Sequence, residues 1–177
     1  ALTVINAVTK DSVIIIGFSD GGYTTYKFGA LYPNRVKKMI VIGAGELKPG
    51  IREFKFTAKQ AIEMDKLYWE QQLKLMPEPN RLNEVFTQVA KCYNKVTVSK
   101  ELMSKIKCLV LVMAGDKDDG NPVERVVSAA RYIRNHQISI IPNTGHTCHN
   151  DNFAAAWESI APFLDKPKTE YLSLTSK

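Results

Sequence analysis

No apolar run in the 177 residues reaches the ~18 needed to span a bilayer as a helix. Only three cysteines are present, Cys92, Cys108 and Cys148, an odd count without paired spacing. That argues against a disulfide framework and for reduced thiols. No repeat, low-complexity stretch or targeting segment is recognisable, and the chain does not open on Met. A cytoplasmic location is the expectation. Acidic residues are the scarcer charge, 18 against 24 basic, giving +6. The basic excess is spread along the chain, so neither nucleic acid nor membrane is expected as a partner. His146, Cys148 and His149 are too cramped to form a metal site, and no cofactor is expected. What remains is one soluble domain, large enough to bury roughly 70% of its unfolded surface.

The most informative stretch is Ser12-Val13-Ile14-Ile15-Ile16-Gly17-Phe18-Ser19-Asp20-Gly21-Gly22. Val13 to Ile16 are apolar and β-branched without alternation, which predicts a strand covered on both faces. Gly17-Phe18-Ser19-Asp20-Gly21 fits G-x-S-x-G, the pattern of a serine at the apex of a strand-to-helix turn. A Cβ at either Gly17 or Gly21 is expected to clash across that turn. Ser19 is then a strained residue with its Oγ pushed into a cleft.

Ala1 to Lys10 are a helix-like mixture. A helix is predicted from about Gly21 to Tyr32, stopped by Pro33 and Asn34. Its small residues Gly22, Gly29 and Ala30 suit close packing on a sheet. Met39 to Ile42 form a second strand, completing a βαβ unit and hence a parallel pair. From Glu46 to Lys105 strand signals vanish. One helix is predicted over Thr57 to Met76, with apolar residues most of the way round, and another over Leu82 to Tyr93. Cys108 to Met113 and Gln137 to Ile141 restore the strands. Between them, Asn121, Pro122 and Glu124 read as N-cap, first helical position and capping partner. The last helix is expected to bury Phe153, Ala156, Trp157, Ile160, Ala161 and Leu164. The tail from Asp165 reads as polar and loose. The prediction is an α/β fold, a mostly parallel sheet flanked by helices, with core residues 1–45 and 106–177 and a helical cap at 46–105.

A nucleophilic serine needs a base, and the base needs an acid to hold its tautomer. Ser19 is followed in order by an acidic cluster after one strand and a histidine after another. Asp116, Asp118, Asp119 and Glu46 compete for the acid, with Asp118 preferred and the other two aspartates read as turn and cap residues. His146 is the candidate base. His149 reads as a surface or capping residue and His136 as solvated.

These pieces resemble the α/β-hydrolase fold superfamily, in particular its small capped esterase-like members such as valacyclovir hydrolases, proline iminopeptidases and enol-lactonases. The resemblance rests on Gly17 to Gly22, Tyr32-Pro33-Asn34-Arg35-Val36, Gly115-Asp116-Lys117-Asp118 and Asn143-Thr144-Gly145-His146. It implies a Ser19, His146, Asp118 triad and an oxyanion donor at the Asp20 N–H. It implies cleavage of an ester, lactone or amide bond in a small substrate. Substrate contacts are expected at Phe18 and, in the cap, Tyr68 and Trp69, with Phe54 and Phe56 beside them. The family also places strands and a second oxyanion donor before the elbow, where this chain has 18 residues. The expectation is therefore the C-terminal portion of a longer hydrolase, partnered by an N-terminal fragment or a second copy. The alternatives are a non-catalytic ligand- or protein-binding module, or an inactive fragment.

Overall fold

A computed structural model describes residues 1–51 and 53–165. The polar tail expected beyond Asp165 lies outside them. The chain divides into two compact units, one from Ala1–Glu46 plus the chain from Val98 onward, the other Leu47–Thr97. No helix among the described residues is long and apolar enough to cross a membrane.

The first unit is built on four parallel strands in the order β1 (Val13–Phe18), β2 (Val36–Ile42), β3 (Leu109–Gly115), β4 (His136–Ile141). Helix α1 (Leu2–Val8) precedes β1, and α2 (Asp20–Leu31) crosses from β1 to β2. Sequence order matches spatial order because each crossover lands on the adjacent strand, that from β2 to β3 after the chain has passed through the second unit. One sheet face carries Ile40, Ile42, Leu109, Leu111, Met113 and Ile141, packed with Ala156, Ile160 and Phe163 of a C-terminal helix. The other face meets α2 so closely that a Cβ on Gly29 would stand 2.4 Å from Met39 Sδ. Tyr26 is fully buried in α2 and donates to the Ala44 carbonyl at 3.2 Å.

β1 departs from the expectation of burial on both faces. Ile14 and Ile16 remain 42% and 57% exposed. Both project to the face on which Lys38 and Ile40 are their register partners. β1 is an edge strand among the described residues, and residue pattern cannot tell an edge from a centre.

The second unit holds α3 (Ala58–Met64), α4 (Lys66–Leu75) and α5 (Leu82–Tyr93). The single helix expected over 57–76 is two. Asp65 ends α3 in a non-helical conformation, and its carboxylate accepts from the Tyr68 N–H to start α4. Thr57 and Gln60 form a capping box on α3.

Short α6 (Lys100–Met103) returns to the first unit, against α2. There follow α7 (Val123–Arg131), α8 (Cys148–Asp151) and α9 (Phe153–Asp165). α9 buries Ala156 and Ile160 of the predicted stripe, adds Phe163, and leaves Phe153 and Trp157 outside it. Ala156, Ile160 and Phe163 face the core, while Phe153 and Trp157 stack on each other with 63% and 46% exposed. The end of α9 is fixed by Lys38 of β2, whose Nζ donates to the Phe163 and Leu164 carbonyls at 2.7 and 2.8 Å. A cation there satisfies the orphan carbonyls of the helix terminus. Burial lowers the ammonium pKa.

Candidate active site

The four strands all point their carboxyl ends the same way, and each end carries one part of a single cluster. Ser19 follows β1, Gly43 follows β2, Asp118 lies beyond β3, and His146 lies beyond β4. Such a rim is where open parallel sheets present polar groups that the sheet itself cannot pair.

Ser19 has φ 53° and ψ −117°, outside the regions comfortable for a residue with a Cβ. Strain of this kind costs about 1–3 kcal/mol and persists only where neighbours enforce it. The enforcement is visible. The Ser19 N–H donates to the Ile42 carbonyl at 2.9 Å, and the Ser19 carbonyl accepts from Gly22 N–H at 2.9 Å. A Cβ on Gly17 would lie 2.3 Å from both the Gly21 carbonyl oxygen and Thr25 Oγ1. The expected second clash at Gly21 is absent, because a Cβ there meets nothing within 4 Å. The tight position is Gly22, where a Cβ would stand 2.7 Å from Ala44 Cβ.

His146 Nε2 lies 2.9 Å from Ser19 Oγ, and His146 Nδ1 lies 2.7 Å from Asp118 Oδ2. Asp118 is 4% exposed, and its other oxygen accepts from the Asn121 N–H at 2.9 Å. With Asp118 accepting, the Nδ1–H tautomer leaves Nε2 free to accept from the serine hydroxyl. Asp20 begins α2, so helix geometry leaves its N–H without an intrahelical acceptor.

The rival acids have other work. Asp116 accepts from the Thr144 N–H at 3.1 Å. Bonds from the Asn143 and Thr144 backbone, with Lys117 beside it, hold its carboxyl below the usual carboxylate range. It braces the loop that presents His146. Asp119 is exposed.

Phe18 packs on His146 at 4.9 Å between ring centroids and on His149 at 4.6 Å. His149 is therefore not the surface residue expected. It is half-buried, and its Nδ1 is enclosed without a hydrogen-bond partner among the described residues. His136 is tied down as well, with Nδ1 2.6 Å from the Ile133 carbonyl. Tyr68 and Trp69 belong to the second unit, where their rings meet edge-on at 5.5 Å. There Trp69, Phe54, Phe56, Phe86 and Met64 line a cavity of about 330 Å³.

Cys148 is fully buried in α8, two residues after His146. Burial, with the Asp118 charge adding to it, pushes its thiol up to about 11. Cys92 is exposed. In the native protein at neutral pH, iodoacetamide should modify Cys92 and leave Cys148 untouched. Peptide mass mapping checks this, and rapid native alkylation of Cys148 would contradict the burial.

Two positions carry site geometry that the sequence reading passed over. Gly43 has φ +61°, and a Cβ there would stand 3.0 Å from His146 Cε1. The imidazole rests against its backbone. Asn121, expected to cap α7, makes no cap. Pro122 holds that place, and the Asn121 amide is spent elsewhere.

The meta-cleavage product hydrolase CumD from Pseudomonas fluorescens superposes with a TM-score of 0.72 at 15% identity, covering 93% of this chain and 68% of its own. The enol-lactonase from Burkholderia xenovorans gives 0.71 at 14% identity, covering 93% and 70%. This chain has the α/β-hydrolase fold. In sequence, it is similar to the mouse protein Serine hydrolase BPHL, 23% identical over 172 residues, covering 84% of this chain. The human counterpart is 22% identical over the same span. The chain spans about half the length, 53%, of these curated relatives. No family model matches. Within the α/β-hydrolase fold a parallel sheet flanked by helices is what the strand order above describes.

Proposed function

We propose that this chain carries the catalytic residues of a serine hydrolase acting on an ester, lactone or amide bond of a small substrate. The observation that supports it most is the continuous hydrogen-bonded path from Ser19 Oγ through His146 to Asp118. Ser19 Oγ attacks the carbonyl carbon as its proton passes to His146 Nε2. Asp118 keeps the imidazole oriented and stabilises the cation that forms. The Asp20 N–H donates to the oxyanion, where an amide at a helix N-terminus is well placed to meet negative charge. His146 then returns the proton to the leaving group. Water, activated by the same imidazole, releases the acyl group and restores Ser19.

Phe18 borders the base and is proposed to border the substrate too. Tyr68 and Trp69 are proposed as substrate contacts on the aromatic character of their unit. Residues 46–105 are proposed as the cap.

A fluorophosphonate probe tests the reading directly. Phosphonylation of Ser19, located by peptide mass, is the expected result, and Ser19→Ala should take none. An unlabelled protein, or a variant that still labels, would falsify the assignment.

A further inference from the structure

We propose that Asn121 is the positioning residue that locks the acid and base to the helix bearing the nucleophile. The proposal rests on the serine-hydrolase reading above. Asn121 is completely buried. Its side-chain amide bonds two separate segments of the chain, and its backbone N–H bonds Asp118. Nδ2 donates to the Gly43 carbonyl at 2.9 Å. Oδ1 accepts from the Tyr23 hydroxyl at 2.8 Å and from the Gly45 N–H at 3.3 Å. Its backbone N–H donates to Asp118 Oδ1 at 2.9 Å.

Each bond touches the reacting group at one remove. Tyr23 stands four residues after Ser19 in α2, so its hydroxyl ties that helix to Asn121. Gly43 is the surface on which the His146 ring rests. The bond from the Asn121 N–H fixes the rotation of the Asp118 carboxylate, leaving Oδ2 aimed at Nδ1. One residue therefore sets three quantities together: its side-chain amide holds the floor under the base and the distance from α2, and its backbone N–H sets the twist of the acid. A hydroxyl or an apolar side chain could not do this. The task needs a donor on one atom and a double acceptor on another, held in one rigid plane, which a carboxamide offers and a single hydroxyl oxygen does not. Low polarity around it strengthens each bond and raises the penalty for losing one.

The test compares Asn121→Leu, Tyr23→Phe, the double variant, and Ile160→Val as a core control outside the hydrogen-bonded network. Fluorophosphonate labelling rates and kcat and KM on a nitrophenyl ester are measured on the same preparations, with thermal melts alongside. Asn121→Leu should lower kcat and labelling by ~30- to 100-fold with KM changed less than ~2-fold, since misplacing reacting groups by about an ångström costs that much. Tyr23→Phe should lower them by ~3-fold or more, and the double variant should match Asn121→Leu alone, because Tyr23 acts through the amide. Ile160→Val should lower the melting temperature and leave the rate unchanged.

If Asn121→Leu labels at the wild-type rate, or loses no more than the control of similar melting temperature, the proposal is overturned. If Asn121→Leu does not fold, Tyr23→Phe decides, and an unchanged kcat there overturns it. A wild-type protein that takes no label points instead at the serine-hydrolase reading itself.

Discussion

Replacing His146 with alanine should reduce labelling of Ser19 and ester turnover by about 10⁴-fold while leaving the protein folded. The size follows from the role. Without Nε2 at 2.9 Å, nothing takes the serine proton as the bond forms. Residual rate then comes only from binding and the Asp20 amide. The folding cost is small for a different reason. The His146 side chain is 35% exposed, so truncation leaves a surface notch rather than a core cavity. Asp118 loses its partner, and that is the larger structural penalty, because its carboxylate is 1% exposed. Labelling time courses beside a circular-dichroism melt separate the two effects. A loss below about tenfold in a folded variant would remove His146 from the role of base.

The second large effect is structural. Gly115→Ala should destabilise the first unit by about 3 kcal/mol or more, at the top of the range for overpacking. A Cβ on Gly115 would stand 2.2 Å from the carbonyl oxygens of both Thr144 and Gly145. These are backbone atoms and cannot rotate out of the way. Relief requires the loop after β4 to retreat from β3, carrying His146 with it. Activity should therefore fall by ~10²-fold in the fraction that stays folded. Urea titration measures the first effect and the labelling rate the second. Gly21→Ala is the matched contrast, since its Cβ meets nothing within 4 Å and alanine favours the helix. Equal stability of the two alanine variants would refute the close approach.

Much of this was legible because it is local. Four apolar, β-branched runs announced four strands, and the order serine, acid, histidine along the chain named residues that the fold places within hydrogen-bonding distance. What stayed hidden depends on distant neighbours. The exposure of Ile14 and Ile16 is decided by what lies beside β1, which no pattern within β1 encodes. Asn121 reads locally as a helix cap beside Pro122. Its real partners lie 98 and 78 positions away at Tyr23 and Gly43, and the buried network outcompetes the cap. Phe163 joins Ala156 and Ile160 in the core while Trp157 stays exposed, a choice made by the sheet and not by the spacing within α9. The misplaced glycine clash has the same origin. Gly17 meets Gly21 within the turn, whereas Gly22 meets Ala44 from another strand end. His149 looked like a surface residue until Phe18, 131 positions earlier, covered it.

Because every member of the cluster hangs from a different strand end, no three strands can assemble it. Ser19 and His146 are 127 positions apart, and their meeting closes most of the chain into a loop. Such contacts are the slow, entropically costly ones in folding. A partly folded molecule with its helices intact has no arranged serine. On the proposed role of Ser19, a serine-directed probe counts completed folds rather than molecules, and labelled fraction becomes an assay of folding yield.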